Sequence, residues 1–207
     1  MILGFSAKKQ GGKTTAVKGI ISKSDLECWD YVTINFADML KKVVGHTLLP
    51  AEMITVGTNV YSVIEGNKDL MLPCGLTVRQ ALQTVGTDWF RKLWPDVWIN
   101  AWKMQVQAED SKTLILVGDV RFPNELKAIQ DRGGHVIRLL RAPFSEDTHE
   151  SETALDIVQR ESFYPNEPSS VGLMFDAMLD NTNMSIEQQN DAVWDMVQKA
   201  GWLAKNS

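Results

Sequence analysis

The chain has 207 residues, 44% of them hydrophobic and 23% charged, with a formal net charge of −5. That is enough chain for one domain with a substantial core, and the acidic balance argues against a protein that lives on nucleic acid, because phosphate neutralisation needs a basic face. Apolar runs such as Leu114 to Val117 are too short to span a bilayer, Met1 to Phe5 lacks a basic flank and cleavage pattern, and Cys28 and Cys74 have no metal-ligand spacing, so a cytoplasmic protein with reduced thiols is expected.

Met1 to Ser6 reads as a strand, followed by a Gly-containing polar loop and a helix over Thr14 to Ser22. Tyr31 to Phe36 is a second strand candidate, and Asp38 is placed to cap a helix through about Val44 with Met39, Leu40, Val43 and Val44 on one face. From Gly45 to Gly75 glycines and prolines break the pattern, which predicts loops and one short helix. Thr77 caps a helix carrying Val78, Ala81, Leu82 and Val85, with Gly86 at the stop position. Pro95 starts another helix, Asp96 to about Ala108, that is apolar on most sides and is expected to be buried.

Thr113 to Val117 reads as a strand covered on both faces, Asn124 to Arg132 as a helix stopped by Gly133 and Gly134, and His135 to Leu140 as a further strand. A polar stretch with three prolines, Ala142 to Gly172, precedes a last short strand at Phe175 to Leu179. Ser185 and Gln188 then form a capping box for a final helix with Ile186, Ala192, Val193, Met196 and Val197 as its stripe. Strands alternating with helices predict an α/β fold with a mostly parallel sheet of about five strands and helices on both faces.

Ala7-Lys8-Lys9-Gln10-Gly11-Gly12-Lys13-Thr14 matches the Walker A pattern except at its first glycine. Strand, loop and helix stand in the order the motif needs, so backbone N–H groups of the loop and the helix N-terminus can face phosphate oxygens. Lys13 would reach the β- and γ-phosphates, and the Thr14 hydroxyl would ligate Mg²⁺. Asp119 follows a buried strand where Walker B acids sit, with Arg121 and Glu125 close behind. Arg79 and Gln83 are four apart on a polar helix face, with Gly86, Thr87 and Asp88 beyond. Trp94, Trp98 and Trp102 recur at helical spacing, which more often means core than a base-stacking platform; their apolar area would serve a homodimer contact or core packing equally well.

These segments resemble the phage-type deoxynucleoside monophosphate kinases. The likeness runs through Phe5 to Thr15, Arg79 to Asp88 with Trp98 downstream, Gly118 to Glu125, Val136 to Arg141, Asp147 to Glu152, and Asp180-Asn181 with the capped helix after it. The resemblance implies one nucleoside monophosphate kinase-like P-loop domain over 1–207, with an acceptor-binding helical insertion at about 45–110 and a lid at about 142–172. It implies ATP and Mg²⁺ as cofactors, with ATP held by Lys9 to Thr15, Arg141 and Asn181, the last near adenine. A dNMP would be held by Lys8, Asp38, Arg79, Gln83, Gly86, Thr87, Asp88, Trp98, Asp119, Arg121 and Glu125, with Trp98 beside the sugar. Catalysis would fall to Lys13, Arg79, Asp119, Arg121 and Glu125, and Mg²⁺ to Thr14 and Asp119, directly or through water. The chain departs from the pattern at Ala7 and at Gln80, where some relatives carry a basic residue.

The expected reaction is in-line transfer of the ATP γ-phosphoryl group to the 5′-phosphate of a dNMP. Rival readings are a P-loop kinase for another small phosphorylated acceptor, a non-kinase P-loop ATPase, and a nucleotide-binding module without turnover. Val120 rather than a glutamate follows Asp119, which disfavours the ATPase, and intact Lys13, Thr14 and Asp119 disfavour the module.

Overall fold

A computed structural model describes residues 1–26, 29–55, 57–143, 149–163 and 174–203. Cys28 and, within the expected lid, residues 144–148 and 164–172, among them Asp147 and Thr148, lie outside the described residues. In chain order the elements are β1 (Ile2–Ser6), α1 (Lys13–Leu26), β2 (Tyr31–Thr33), α2 (Asp38–Leu48), a 3₁₀ turn (Ala51–Met53), α3 (Val60–Gly66) and α4 (Val78–Gln83). A π-helical segment (Thr84–Arg91), α5 (Val97–Val106), β3 (Leu114–Val117), α6 (Pro123–Gln130), β4 (His135–Leu139), α7 (Glu150–Thr153), α8 (Asp156–Phe163), β5 (Ala177–Leu179) and α9 (Ile186–Lys199) follow. They form two compact units, Met1–Asn35 with Val106–Ser207, and Phe36–Gln105.

The first unit is built on five parallel strands in the order β2-β3-β1-β4-β5. Successive side chains of a strand face opposite ways. Leu3 and Phe5 of β1, Leu114 and Leu116 of β3, and Ile137 and Leu139 of β4 therefore pack with Ala16, Val17 and Ile20 of α1 and Val193 and Val197 of α9. On the other face a Cβ at Gly4 would come within 3.1 Å of Ile129 of α6, Val120 and Val136. Both faces are covered, so β3 is buried along its whole length, as its unbroken apolar run predicts. β1 lies between β3 and β4, and this is where strand order changes direction. Ligands of such sheets bind beyond the carboxyl ends of the strands at that point.

In the second unit Leu40, Val44, Ile64, Val78, Ala81 and Trp98 share a core, and Phe36 packs on Trp102 at 4.7 Å. Several sequence expectations are corrected here. Asp38 does not cap α2: Ala37 occupies that position without a side-chain bond, and Asp38 is the first helical residue, where its charge complements the helix dipole. Met39 is exposed rather than on the buried face of α2. Between Gly45 and Gly75 the chain continues α2 to Leu48 and adds both the 3₁₀ turn and α3.

Gly86 does not stop α4. The chain widens instead into the π-helical segment, and a Cβ at Gly86 would sit 2.5 Å from Leu40 Cδ2, so Leu40 would have to shift to admit one. Gly86→Ala should therefore cost about 1–3 kcal/mol through overpacking, measurable in a urea melt; an unchanged midpoint would show that Leu40 yields freely. α5 is amphipathic rather than buried all round, with Trp98, Ile99 and Trp102 inside and Met104 68% exposed. α9, by contrast, carries the Ser185–Gln188 capping box its sequence predicts.

Candidate active site

The loop between β1 and α1 curls through two left-handed residues, Gln10 (φ 57°) and Gly12 (φ 100°). Ala7 is not among the residues with positive φ and is buried, so the missing first glycine carries no conformational cost. A Cβ on Gly11 would lie 2.6 Å from the Arg141 carbonyl oxygen, and one on Gly12 2.4 Å from Gln189 Oε1. Both glycines are thus required by the shell packed behind the loop.

That shell is polar and closed. Asn181, fully buried, donates from Nδ2 to Gly11 O (3.0 Å) and to Gln189 Oε1 (2.6 Å), and its Oδ1 accepts from Arg141 N (2.8 Å). Gln189 of α9, 1% exposed, donates to Gly12 O (3.2 Å). The Arg141 guanidinium donates to the carbonyls of Asn181 and Met184, both at 2.6 Å. Two loop carbonyls are thereby held outward. Beside this clamp lies an open depression of about 400 Å³ lined by Asp180, Asn183, Met184 and Gln188.

Lys13 opens α1, and its ammonium turns back to donate to the carbonyls of Ala7 and Lys8 (3.1 Å for the latter). Its pKa is lowered to about 7, first by burial and then by the Arg121 and Arg138 guanidinium groups, against the opposing pull of Glu152 and Asp119. Three cations therefore converge at the ends of β1, β3 and β4. Thr14, next on α1, is exposed.

The arginines are held by named partners. Arg138, 3% exposed, donates to Ser6 Oγ (2.9 Å) and Gln159 Oε1 (2.8 Å) and lies 3.7 Å from Asp156. Arg121 pairs with Glu152 through Nη1. Glu125, 2% exposed, accepts the backbone N–H groups of Arg121 (2.8 Å) and Phe122 (3.1 Å). Sequence reading placed Glu125 among the catalytic groups; its carboxylate is seen bracing the turn that carries Arg121. The Gly118 N–H beside Asp119 is held by Asn35 Oδ1 at 2.8 Å. Lys8 reaches Asp156 and the Glu152 carbonyl, both at 2.7 Å.

The remaining predicted residues belong to the second unit. Arg79 pairs with Asp69 at 3.3 Å, Asp88 lies 3.9 Å from Lys92, and Asp38 lies 4.0 Å from Lys41, which also holds Glu65 at 2.8 Å. Thr87 and Gly86 are buried and Gln83 is half-buried. Trp98 is 4% exposed and donates its indole N–H to Gly86 O at 3.0 Å, a carbonyl of the π-helical segment. Gln80 has a structural role of its own: its side chain closes the capping box with Thr77.

Gln189, Glu152, Arg138 and Asn35 were not among the predicted site residues. Gln189 had a signal: it falls four residues before Val193 on the apolar stripe of α9, where a polar residue needs a partner.

Among the described residues no helix is long and apolar enough to cross a membrane. A family model described as "Deoxynucleotide monophosphate kinase" matches residues 27–174. A protein of Acanthamoeba polyphaga mimivirus, named "Putative deoxynucleotide monophosphate kinase", is 30% identical over 167 residues, covering 75% of this chain and 82% of that protein. The phosphate loop precedes the span matched by the family model, so its geometry is an independent observation pointing to the same class of ligand. With more than half of its length matched, the chain belongs to the deoxynucleotide monophosphate kinase family and is a phosphotransferase that acts on small-molecule nucleotides.

Proposed function

We propose that the protein moves the γ-phosphoryl group of ATP to the 5′-phosphate of a deoxynucleoside monophosphate, releasing ADP and a dNDP. The observation that carries the donor half is the Lys13 ammonium, buried in the loop among Arg121 and Arg138 with loop carbonyls as its partners. A cluster of like charges gathered around a desolvated ammonium is relieved by a polyanion, and a triphosphate supplies one. The acceptor half rests on family membership.

Loop N–H groups and Lys13 would hold the β- and γ-phosphates, and Arg121 the migrating group. Lys9, Gln10 and Thr15 complete the loop's surroundings, while Asn181 and Arg141 would border the adenine in the depression at Asp180, Asn183, Met184 and Gln188. Lys8, Asp38, Arg79, Gln83, Gly86, Thr87, Asp88 and Trp98 would serve the dNMP, with Asp119 at its phosphate. The donor set for Mg²⁺ fits: the exposed Thr14 hydroxyl and the Asp119 carboxylate match its habit of taking one or two protein oxygens beside phosphate oxygens. When bound, Mg²⁺ supplies charge neutralisation on the phosphates. Positioning and charge neutralisation account for the whole mechanism, with no covalent intermediate.

The test is coupled ADP release with ATP, Mg²⁺ and each of the dNMPs and NMPs in turn. Release that depends on one or more dNMPs is expected; acceptor-independent hydrolysis, or dependence on NMPs alone, would contradict the reading.

A further inference from the structure

The Asp147 to Glu152 block has no part in the mechanism above, yet its described end reaches the centre of the site. His149 caps α7: its Nδ1 accepts the Ser151 N–H (3.1 Å) and bonds the Ser151 hydroxyl (2.9 Å), while Glu152 N–H returns to His149 O (2.8 Å). This one-turn helix presents Glu152 inward. Its side chain is only 6% exposed, whereas the Arg121 side chain it grips remains 38% exposed. The grip is through one terminal nitrogen, Nη1. A guanidinium has five N–H donors, so an end-on contact of this kind orients the fork and leaves its open side for a phosphate.

Glu152 is also held from the other end. Lys8 of the phosphate loop donates to the Glu152 carbonyl at 2.7 Å and to Asp156 of α8 at 2.7 Å. One residue therefore joins the donor loop, through its main chain, to Arg121, through its carboxylate. It also places the compensating negative charge among Lys13, Arg121 and Arg138, which would otherwise repel one another and favour an Arg121 swung out to solvent.

We propose that Glu152 is a positioning residue for Arg121, and that the His149–Glu152 turn serves to present its carboxylate while tying Arg121 to the loop that holds the phosphoryl donor. The inference rests on the reading of Arg121 as a phosphate ligand.

A double-mutant cycle on the full chain tests it, with kcat and the KM for each substrate measured for Glu152→Gln, Arg121→Ala and the pair, after circular dichroism shows each to be folded. Misorienting a catalytic group typically costs up to on the order of 10²-fold, so Glu152→Gln should lower kcat about 10- to 100-fold with the KM for ATP moving less than about threefold. The pair should be no slower than Arg121→Ala alone. Full kcat in Glu152→Gln, or a pair that loses the product of the two single effects, would overturn the proposal while leaving Arg121 as a ligand. Full activity in Arg121→Ala would overturn the ligand reading and the proposal together. Should Glu152→Gln not fold, the cap gives a second route: His149→Leu should lower kcat in the same non-additive way with Arg121→Ala, and His149→Asn, which can still cap, should restore it. A His149→Leu protein at full rate would equally overturn the proposal.

Discussion

Lys13→Met is expected to yield a folded protein whose phosphoryl transfer is slower by about 10²- to 10³-fold, yet whose ligand-free form melts no lower than the parent and, at neutral pH or below, higher. The loss of rate follows from removing the donor that meets charge building on the transferring group. The gain in stability follows from the cluster itself: an ammonium buried beside two guanidinium groups is a cost of the ligand-free fold. Its sign with pH is definite. The folded-state pKa, about 7, lies below the 10.5 of a free lysine, so between those values the unfolded chain binds more protons than the folded one. Stability of the parent should therefore rise with pH through that window, and its deficit against Lys13→Met should be largest below it and shrink across it. Thermal melts of both proteins at pH 6.5 and 9 measure this; a parent that is more stable than the variant at the lower pH would contradict it.

Asn181→Leu should be the most damaging change outside the loop itself. The substitution keeps the branching and heavy-atom count of the side chain but removes the partner of Gly11 O, Gln189 Oε1 and Arg141 N in a fully buried position. Leaving buried polar groups unpaired costs about 1–3 kcal/mol each, so a loss of roughly 2–4 kcal/mol is expected for the coupled set. Gly11 and Gly12 would lose the restraint that keeps their carbonyls turned outward, and the KM for ATP should rise about tenfold or more, with the KM for the acceptor changing less. Urea melts and steady-state kinetics report on the two effects separately. An unchanged KM for ATP in a destabilised protein would mean that the clamp supports the fold and not the loop's geometry.

What could be read from the sequence was local. The Ser185–Gln188 cap, the glycine stop after α6 at Gly133, the buried run of β3 and the order strand, loop, Gly-Lys-Thr, helix each depend on residues within a few positions of one another. The five parallel strands follow from counting such units. Where expectation and structure part, the deciding neighbour is distant in the chain. Gly86 looks like a helix stop until Leu40 of α2 is seen against it. Glu125 is a local case: read as an active-site acid, it accepts from the backbone N–H groups of Arg121 and Phe122 at the start of its own helix, a bracing contact that sits alongside that reading. Spacing alone reads Trp98 as core, and it is 4% exposed, but spacing does not reveal the partner of its indole N–H, the Gly86 carbonyl twelve residues away. The clamp of Asn181, Gln189 and Arg141 behind the loop joins three separate segments, and only the position of Gln189 on an apolar stripe hinted at it.

Transfer of label from ATP carrying radioactive γ-phosphate, followed by separation of the nucleotides, tests the central claim most directly. With Mg²⁺ and a dNMP that supports ADP release, the label should appear in the corresponding dNDP, one for each ADP formed, and Lys13→Met should show almost none. Label recovered only as inorganic phosphate, whatever the acceptor, would contradict the account.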